Sequence, residues 1–138
     1  MVIGGSGPND VWAVGGGGVI CRWTGTWASV PSPTNQDLNA VWSSGPTEAW
    51  AVGAGGIFHW NGTLWVTVPA ASTEYFGVWG SAANDVWIVG RTGQFLHWDG
   101  SALTAAAMTS PVWMLAVWGS SSTDVWSVGQ NGVTFHGP

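Results

Sequence analysis

Four acidic residues recur at one position of a repeated segment and are the first candidates for chemistry in this sequence. They are Asp10, Glu48, Asp85 and Asp124. Carboxylate oxygens are the ligands that Ca²⁺ prefers, so a regular set of acids could bind a cation. Each acid also ends a turn and directly precedes a strand, where a carboxylate commonly accepts backbone N–H bonds. We therefore expect turn capping here, and no metal site.

Histidines occupy a second repeated position, and three of them could suggest zinc. The residues at this position are Arg22, His59, His97 and His136. Equivalent positions of a repeat protein lie on different sheets, too far apart to share one ion, and the arginine fits a semi-exposed side chain better than a ligand. We expect structural side chains here and no cofactor.

Known hydrolase sites need more than this sequence offers. Sialidases grip a carboxylate with three arginines and use a tyrosine, whereas this chain has two basic residues, Arg22 and Arg91, and one tyrosine, Tyr75. Paired-carboxylate glycosidases need two converging acids, and the acids here sit in equivalent loops of separate repeats. Neither a nucleophile elbow nor a phosphate-binding loop is present. The sequence predicts a protein that has no catalytic residues and is not an enzyme.

The remaining candidate site is a set of tryptophans that could stack on sugar rings, with polar residues beside them. The candidate carbohydrate-binding residues are Trp23, Trp27, Trp60, Trp65, Trp98, His59, His97, Asn61 and Asp99. Repeated weak sites of this kind gain avidity, as in a multivalent lectin. A buried tryptophan also removes ~150–250 Å² of surface from water. The same rings could therefore form the core between sheets, and the sequence leaves both interpretations open.

A repeat of about 38 residues positions all of these side chains. The segment VWAVG at Val11–Gly15 recurs at Ala49–Gly53, Val86–Gly90 and Val125–Gly129, with spacings of 38, 37 and 39 residues between the tryptophans. We divide the chain, taken as a single domain, into repeats at approximately 1–37, 38–74, 75–113 and 114–138. Internal periods of this length are typical of propellers and solenoids.

Each repeat consists of four short segments rich in Val, Trp, Phe and Ile, which favour β-strands. The last repeat has three, so we count fifteen strands, the weakest being Ser101–Met108. Glycines between the second and third strands predict positive φ angles. Asn61-Gly62 and Asp99-Gly100 predict two-residue hairpins between the third and fourth strands. We interpret the sequon Asn61-Gly62-Thr63 as part of such a turn.

Alternation along the strands predicts sheets that are apolar on both faces. Trp12 and Val14 point to one face of a strand and Ala13 to the other, and in the next repeat we assign Leu38 to the same face as Trp42. Such sheets must be covered on both sides, which radial stacking of blades achieves. The predicted fold is all-β: a β-propeller with about four blades per chain, each of four strands, the last blade being incomplete.

The repeat resembles known propeller repeats in one stretch above all. From Ala49 to Trp65 a Trp-Ala-Val-Gly strand leads through a glycine turn to Asn-Gly and a further tryptophan, and Val86–Gly100 nearly matches it. This pattern is similar to the BNR/Asp-box-related repeats of bacterial propellers and to the Ycf48-type photosystem assembly factors. The resemblance implies a propeller fold but does not choose among sialidase, lectin and assembly-factor roles. It favours an extracellular or cell-surface location, although no signal peptide is recognisable at the N-terminus.

Composition narrows the possible partners. The net charge is −5 with only two basic residues, which argues against nucleic-acid binding and against an anionic membrane surface. No stretch approaches the ~20 apolar residues of a membrane helix, so we expect no membrane insertion. Cys21 is the one cysteine, and we expect it to be a small buried apolar residue.

The chain contains three complete repeats and three of the four strands of a fourth. This content allows two arrangements, namely a monomeric ring of four blades and a partial ring that a second copy completes. Charged residues make up only 7% of the chain, and an open strand edge invites pairing with another chain. Both features favour a homo-oligomer. The two functions that the sequence allows are a self-associating structural or protein-interaction scaffold and, alternatively, a multivalent carbohydrate-binding propeller with glycans as partners.

Overall fold

The computed structural model describes residues 1–106 and 112–137, which form fifteen β-strands in four antiparallel sheets. The first sheet contains β1 (Val2–Gly7), β2 (Asp10–Val14), β3 (Ile20–Trp23) and β4 (Trp27–Ser29). The second contains β5 (Leu38–Gly45), β6 (Glu48–Gly53), β7 (Gly56–Trp60) and β8 (Trp65–Val68). The third contains β9 (Tyr75–Ala82), β10 (Asp85–Gly90), β11 (Phe95–Trp98) and β12 (Leu103–Ala105). The fourth contains β13 (Met114–Ser121), β14 (Asp124–Gly129) and β15 (Thr134–Gly137).

The strands of each sheet pair in chain order, and the fifteen predicted strands are found in the part of the chain that the structure describes. The strand expected at Ser101–Met108 is shorter, at Leu103–Ala105, and residues 107 and 108 lie outside the described residues. The chain divides into two compact units, Met1–Glu74 and Tyr75–Pro138, and each unit holds two sheets. No helix in the described part of the chain has the length and apolar character of a membrane span.

The turns between the second and third strands follow the prediction from glycine. Three of them are short 3₁₀ turns, at Gly16–Gly18, Arg91–Gly93 and Gln130–Gly132. In each repeat, the glycine two residues before the third strand, or at its start, has a positive φ, as expected. These glycines are Gly18 at 78°, Gly56 at 126°, Gly93 at 71° and Gly132 at 74°.

The turns between the third and fourth strands are longer than the predicted two-residue hairpins. Trp60 pairs with Trp65, so four residues, 61–64, form the turn of the second sheet. The Asn61 carboxamide oxygen accepts the backbone N–H groups two and three residues further on, at 2.9 and 3.1 Å. These side-chain bonds stabilise a wider loop, while Gly62 keeps the predicted positive φ of 99°.

A β-bulge corrects one predicted face of the sheets. Leu38 pairs with Gly53, and the register shifts before Ala40, which pairs with Val52. The extra residue, Asn39, reverses the alternation of side chains at that point. Leu38 therefore joins the buried cluster between the first two sheets together with Val41, instead of sharing a face with Trp42.

The two sheets of each unit stack face to face through an apolar core. In the first unit, the Trp12 face of the first sheet packs against the Ala49 face of the second. The residues of this core are Trp12, Val14, Ile20, Leu38, Val41, Ala49, Ala51, Phe58, Trp60 and Trp65. In the second unit, the Trp87 face of the third sheet packs against the fourth sheet in the same way, through Trp87, Val89, Phe95, Met114 and Val125.

Candidate functional site

Each repeated acid binds the side chain at the repeated histidine position of its own sheet. The second strand of each sheet places the acid opposite the third strand, so the two side chains meet on one face. The carboxylate–imidazole pairs are Glu48–His59 at 2.7 Å, Asp85–His97 at 2.6 Å and Asp124–His136 at 2.8 Å. In the first sheet Arg22 takes the place of the histidine, with its Nη2 atom 3.3 Å from Oδ1 of Asp10.

These acids cap side chains, which corrects the prediction that they cap backbone N–H groups. In the fourth sheet the Asp124 carboxylate accepts hydrogen bonds from the Ser120 hydroxyl at 2.5 Å and the Trp126 indole at 3.0 Å. The Ser120 bond, followed by the His136 bond, holds the pKa of Asp124 below 3.8. In the second sheet Glu48 accepts the indole N–H of Trp50 in the same manner.

Asp10 links two neighbouring sheets. Its carboxylate accepts hydrogen bonds from Ser6 at 2.6 Å within the first sheet and from Ser43 at 2.7 Å in the second. Burial raises the pKa of Asp10, but the bonds from Ser6, Ser43 and Arg22 and the charge of Arg22 together hold it below 3.8. The guanidinium of Arg22 also donates to the Pro46 carbonyl oxygen at 2.6 Å. This acid therefore fastens the first sheet to the second.

The acids and histidines do not converge on a common site in the part of the chain that the structure describes. No group of three His, Cys, Asp or Glu side chains within residues 1–106 and 112–137 is arranged to hold a metal ion. Each carboxylate is engaged by donors of its own or the neighbouring sheet. This arrangement fits stabilisation of the individual sheets.

The two polar turn residues among the predicted carbohydrate-binding positions are engaged by their own turns. The Asp99 Oδ1 atom accepts the backbone N–H groups of Ser101 at 2.9 Å and Ala102 at 2.8 Å. These hydrogen bonds hold the pKa of Asp99 below 3.8, and the bond from the Ser101 amide has the largest effect. Asn61 caps its turn likewise, as described above. The predicted turn roles of both residues agree with this geometry.

Two of the predicted carbohydrate-binding tryptophans lie in the core of the first unit. Trp60 and Trp65 are 6% and 5% exposed. Their rings enclose Trp12, with centroids 5.0 and 5.1 Å from it in edge-to-face contacts. Rings held in this way have no free face for a sugar. Trp98, in the third sheet, is half-buried.

The equivalent pair of tryptophans in the first sheet is open to solvent. Trp27 is 50% exposed and Trp23 is half-buried, with ring centroids 5.7 Å apart. The strand pairing places them in one row with Gly5 and Val11. A second row on the same face contains Ile3, which is 66% exposed. We call this face of the sheet the Trp27 face. By strand register its residues are Ile3, Gly5, Val11, Ala13, Cys21, Trp23 and Trp27, of which Ala13 is buried.

The fourth sheet presents a second exposed apolar surface that the sequence did not single out. Trp118 pairs with Trp126, and Trp126 pairs with His136, so the three side chains form one row across the sheet. Trp118 is 61% exposed and Trp126 43%. A second row contains Val128, which is 45% exposed. We call this surface the Trp126 face, and its residues are Ala116, Trp118, Trp126, Val128, Thr134 and His136.

The alternation of side chains along the strands predicts which residues share the Trp126 face, but it does not predict that this face is exposed to solvent. Trp126 occupies the same position in its repeat as Trp12, which is fully buried. Trp12 is covered by the second sheet. Exposure of the equivalent ring depends on whether another sheet covers it, and a pattern within one strand carries no information about that.

Comparison with known proteins identifies the fold. No protein-family model and no curated protein sequence matches this chain. Among solved structures, the chain is similar to YCF48 bound to D1 peptide, with a TM-score of 0.77 and 18% identity over 98% of this chain. It is also similar to the computationally designed Ika4 protein, with a TM-score of 0.78 and 17% identity over 98% of this chain. A third similar structure is that of U3-55K, with a TM-score of 0.81 and 9% identity over 99% of this chain.

These similarities show that the chain has a β-propeller fold. The chain spans about half of YCF48 (49%) and of U3-55K (45%), and 88% of Ika4. The predicted likeness to Ycf48-type propellers is therefore supported as a likeness of fold. Relationship to the BNR/Asp-box repeats stays a prediction.

Proposed function

We propose that this propeller is a non-enzymatic scaffold that binds protein through its exposed sheet faces, with a second copy of itself as the first partner. The observation that carries the proposal is the Trp126 face, where two large aromatic rings and Val128 are exposed together. Tryptophan dominates the energetics of many protein interfaces, because its large ring buries much apolar surface at little entropic cost. Contiguous exposed apolar patches on soluble proteins commonly mark interaction sites.

The polar chemistry of the chain supports a binding role over a catalytic one. The same acid–imidazole arrangement recurs in the second, third and fourth sheets, with nearly equal distances. A catalytic centre is normally a single convergent arrangement, whereas a structural cluster repeats with the module that it stabilises. The similarity in fold to YCF48, whose structure was solved with a bound peptide, is consistent with a protein-binding propeller.

The proposal is tested by the native mass of the chain over a concentration series. Light scattering and native mass spectrometry should give multiples of 14.4 kDa that grow with concentration. Because the contact is apolar and each copy carries a net charge of −5, added salt should leave association unchanged or strengthen it. A mass of 14.4 kDa at millimolar concentration would overturn self-association.

A second candidate function, glycan binding, is favoured by one observation. Trp27 offers an exposed ring beside Trp23 and close to the threonines of the turn between β3 and β4. The other predicted carbohydrate-binding residues are buried, half-buried or engaged in hydrogen bonds, so this proposal rests on the first sheet. A glycan array and tryptophan fluorescence titrations would test it, with Trp27→Ala as the variant expected to lose the signal. A blank array with the unaltered chain would eliminate it.

A further inference from the structure

We propose that the Trp126 face of one copy docks on the Trp27 face of a second copy, with Trp126 packing against both Trp23 and Trp27. This inference rests on the proposed function, since it specifies how self-association takes place. It is argued from two contacts that the chain already makes between its own sheets, one in each compact unit.

The first contact is the enclosure of Trp12 within the first unit. Trp12 belongs to the first sheet, and Trp60 and Trp65 of the second sheet enclose it at 5.0 and 5.1 Å. Trp126 is the repeat equivalent of Trp12. Trp23 and Trp27 are the repeat equivalents of Trp60 and Trp65, because each pair joins the ends of the third and fourth strands of its sheet. The Trp126 face thus presents the inserted ring, and the Trp27 face presents the two enclosing rings.

The enclosing rings of the Trp27 face are already oriented for this contact. The indole N–H of Trp60 donates to the Pro46 carbonyl oxygen at 3.2 Å. The indole N–H of Trp23 donates to the Pro8 carbonyl oxygen, at the equivalent loop position, at 3.1 Å. Trp23 therefore has the orientation of Trp60 before any partner arrives. Such preorganisation lowers the entropic cost of association.

The second contact is the packing of Trp79 on Gly119 within the second unit. A Cβ atom at Gly119 would lie 2.5 Å from Cη2 of Trp79 and 2.7 Å from the backbone oxygen of Asp124, so the ring of the third sheet and the strand pairing of the fourth both favour glycine there. Trp118 is the repeat equivalent of Trp79, since both pair with the central tryptophan of their sheets. Gly5 is the repeat equivalent of Gly119 and lies on the Trp27 face. Trp118 of one copy therefore finds the glycine that it requires on another copy.

The interface between the first two sheets shows the converse case. The position of Trp79 is occupied by Gly4 in the first sheet, and the position of Gly119 is occupied by Ser43 in the second. With no ring to accommodate, Ser43 carries a side chain there and bonds to Asp10. In the second unit a tryptophan of one sheet therefore packs on a glycine of the next, whereas in the first unit a glycine lies opposite the larger Ser43. The Trp126 and Trp27 faces match the arrangement of the second unit, with Trp118 on one face and Gly5 on the other.

The pairing is heterologous, because every contact joins two different faces. Each chain carries one copy of each face, so heterologous pairing covers every face once the assembly closes, and the smallest closed assembly is a pair. Such a pair contains eight sheets, which is within the range of about 4 to 8 blades found in propellers. Its expected native mass is twice the 14.4 kDa of the chain.

The test uses one substitution on each face and a mixture of the two variants. Trp126→Lys blocks the Trp126 face and Trp27→Lys blocks the Trp27 face, and each should weaken self-association at least about thirtyfold, the scale of an interface hot spot. An equimolar mixture should recover a species with one chain of each kind, because it retains one intact pair of faces. Leu64→Lys is the matched control: Leu64 is 51% exposed, belongs to neither face, and should associate as the unaltered chain does.

The outcomes separate this inference from the proposed function. Association that is abolished by Trp126→Lys but unaffected by Trp27→Lys would mean that Trp126 faces pair with each other, and would overturn the inference alone. Association that survives in both variants would overturn it as well, since the contact would lie elsewhere. A monomeric unaltered chain would overturn the proposed function. Circular dichroism checks the folding of each variant, and Val128→Lys and Ile3→Lys replace any variant that fails to fold.

Discussion

Trp126 stacks on His136 with ring centroids 3.9 Å apart and an angle of 17° between the ring planes. The corresponding residues of the first sheet, Trp12 and Arg22, make the same contact, with the guanidinium 4.6 Å from the ring centroid. The two arrangements differ in what covers the other side of the indole. Trp12 is fully buried by the second sheet, whereas Trp126 is 43% exposed. The same module therefore serves as core in one place and as surface in another.

This difference predicts unequal costs of removing the two rings. Trp12→Ala should lower the free energy of unfolding by about 3–5 kcal/mol, as for other buried aromatic residues, because it empties the space beside Trp60 and Trp65. Trp126→Ala should cost about half of that or less in the monomer. Urea unfolding followed by circular dichroism, at a chain concentration low enough to keep both variants monomeric, gives the two values. Equal losses would contradict the assignment of Trp126 to a surface.

A methyl group at Gly119 should destabilise the second unit. The added Cβ would lie 2.5 Å from the Trp79 ring and 2.7 Å from the backbone oxygen of Asp124, and the backbone atom cannot move aside without disturbing the strand pairing. We expect Gly119→Ala to lower the free energy of unfolding by about 1–3 kcal/mol. Gly7→Ala is the control, because no atom lies within 4 Å of the Cβ that it adds. If both variants unfold at the same urea concentration, the packing of Trp79 on Gly119 is wrong.

The strands were predictable because their signals are local. Val, Trp and Ile alternate between glycine turns in each repeat, and these segments became the fifteen strands found in residues 1–106 and 112–137. The errors arose where the backbone departed from regular alternation and where a side chain changed the length of a turn. Asn39 forms a bulge that reverses the face of Leu38, and Asn61 widens a turn by bonding to its amides.

The candidate site was harder to predict, because exposure depends on contacts between sheets. Trp65 and Trp27 occupy the same position in successive repeats, yet one is 5% exposed and the other 50%. Their sequence environments are similar, with a turn before each and apolar residues after. The acids were misjudged for a related reason. Their partners lie on other strands. The serine four residues before Asp10 or Asp124 and the basic side chain twelve residues after it recur with the repeat, but these spacings become meaningful only once the strand pairing is known. No spacing indicates Ser43, which bonds to Asp10 from the neighbouring sheet.

Asp10 should make the first unit sensitive to acid. Its pKa in the folded chain lies below 3.8, because the hydrogen bonds of Ser6, Ser43 and Arg22 outweigh the opposing effect of burial. A folded pKa below the unfolded one contributes stability at pH values above about 3.8, and this contribution is lost as the pH falls through the folded value. We expect Asp10→Asn to be less stable than the unaltered chain at pH 7 and to differ less from it below the folded pKa.

Ser43→Ala isolates the contribution of one donor to this carboxylate. Removal of the hydroxyl should move the pKa of Asp10 upward, which NMR titration of its side-chain carboxyl carbon would detect. The variant should also lose about 1 kcal/mol of unfolding free energy at pH 7, the usual net value of such a bond. Ser44→Ala, at the exposed neighbouring position, should leave the Asp10 titration unchanged. A pKa that does not move in Ser43→Ala would show that the bond from the second sheet is absent in solution.

The thiol of Cys21 should report which face is covered on self-association. Cys21 is half-buried and pairs with Ala13 on the Trp27 face, in the row that contains Ile3. Docking of a second copy excludes solvent from this row, so alkylation by a maleimide should slow at least about tenfold at concentrations where the chain is assembled, in proportion to the remaining monomer. Trp126→Lys should retain the rate of the dilute chain at every concentration, because it removes the partner's inserted ring. Alkylation that stays fast while the native mass rises would place the contact away from the Trp27 face.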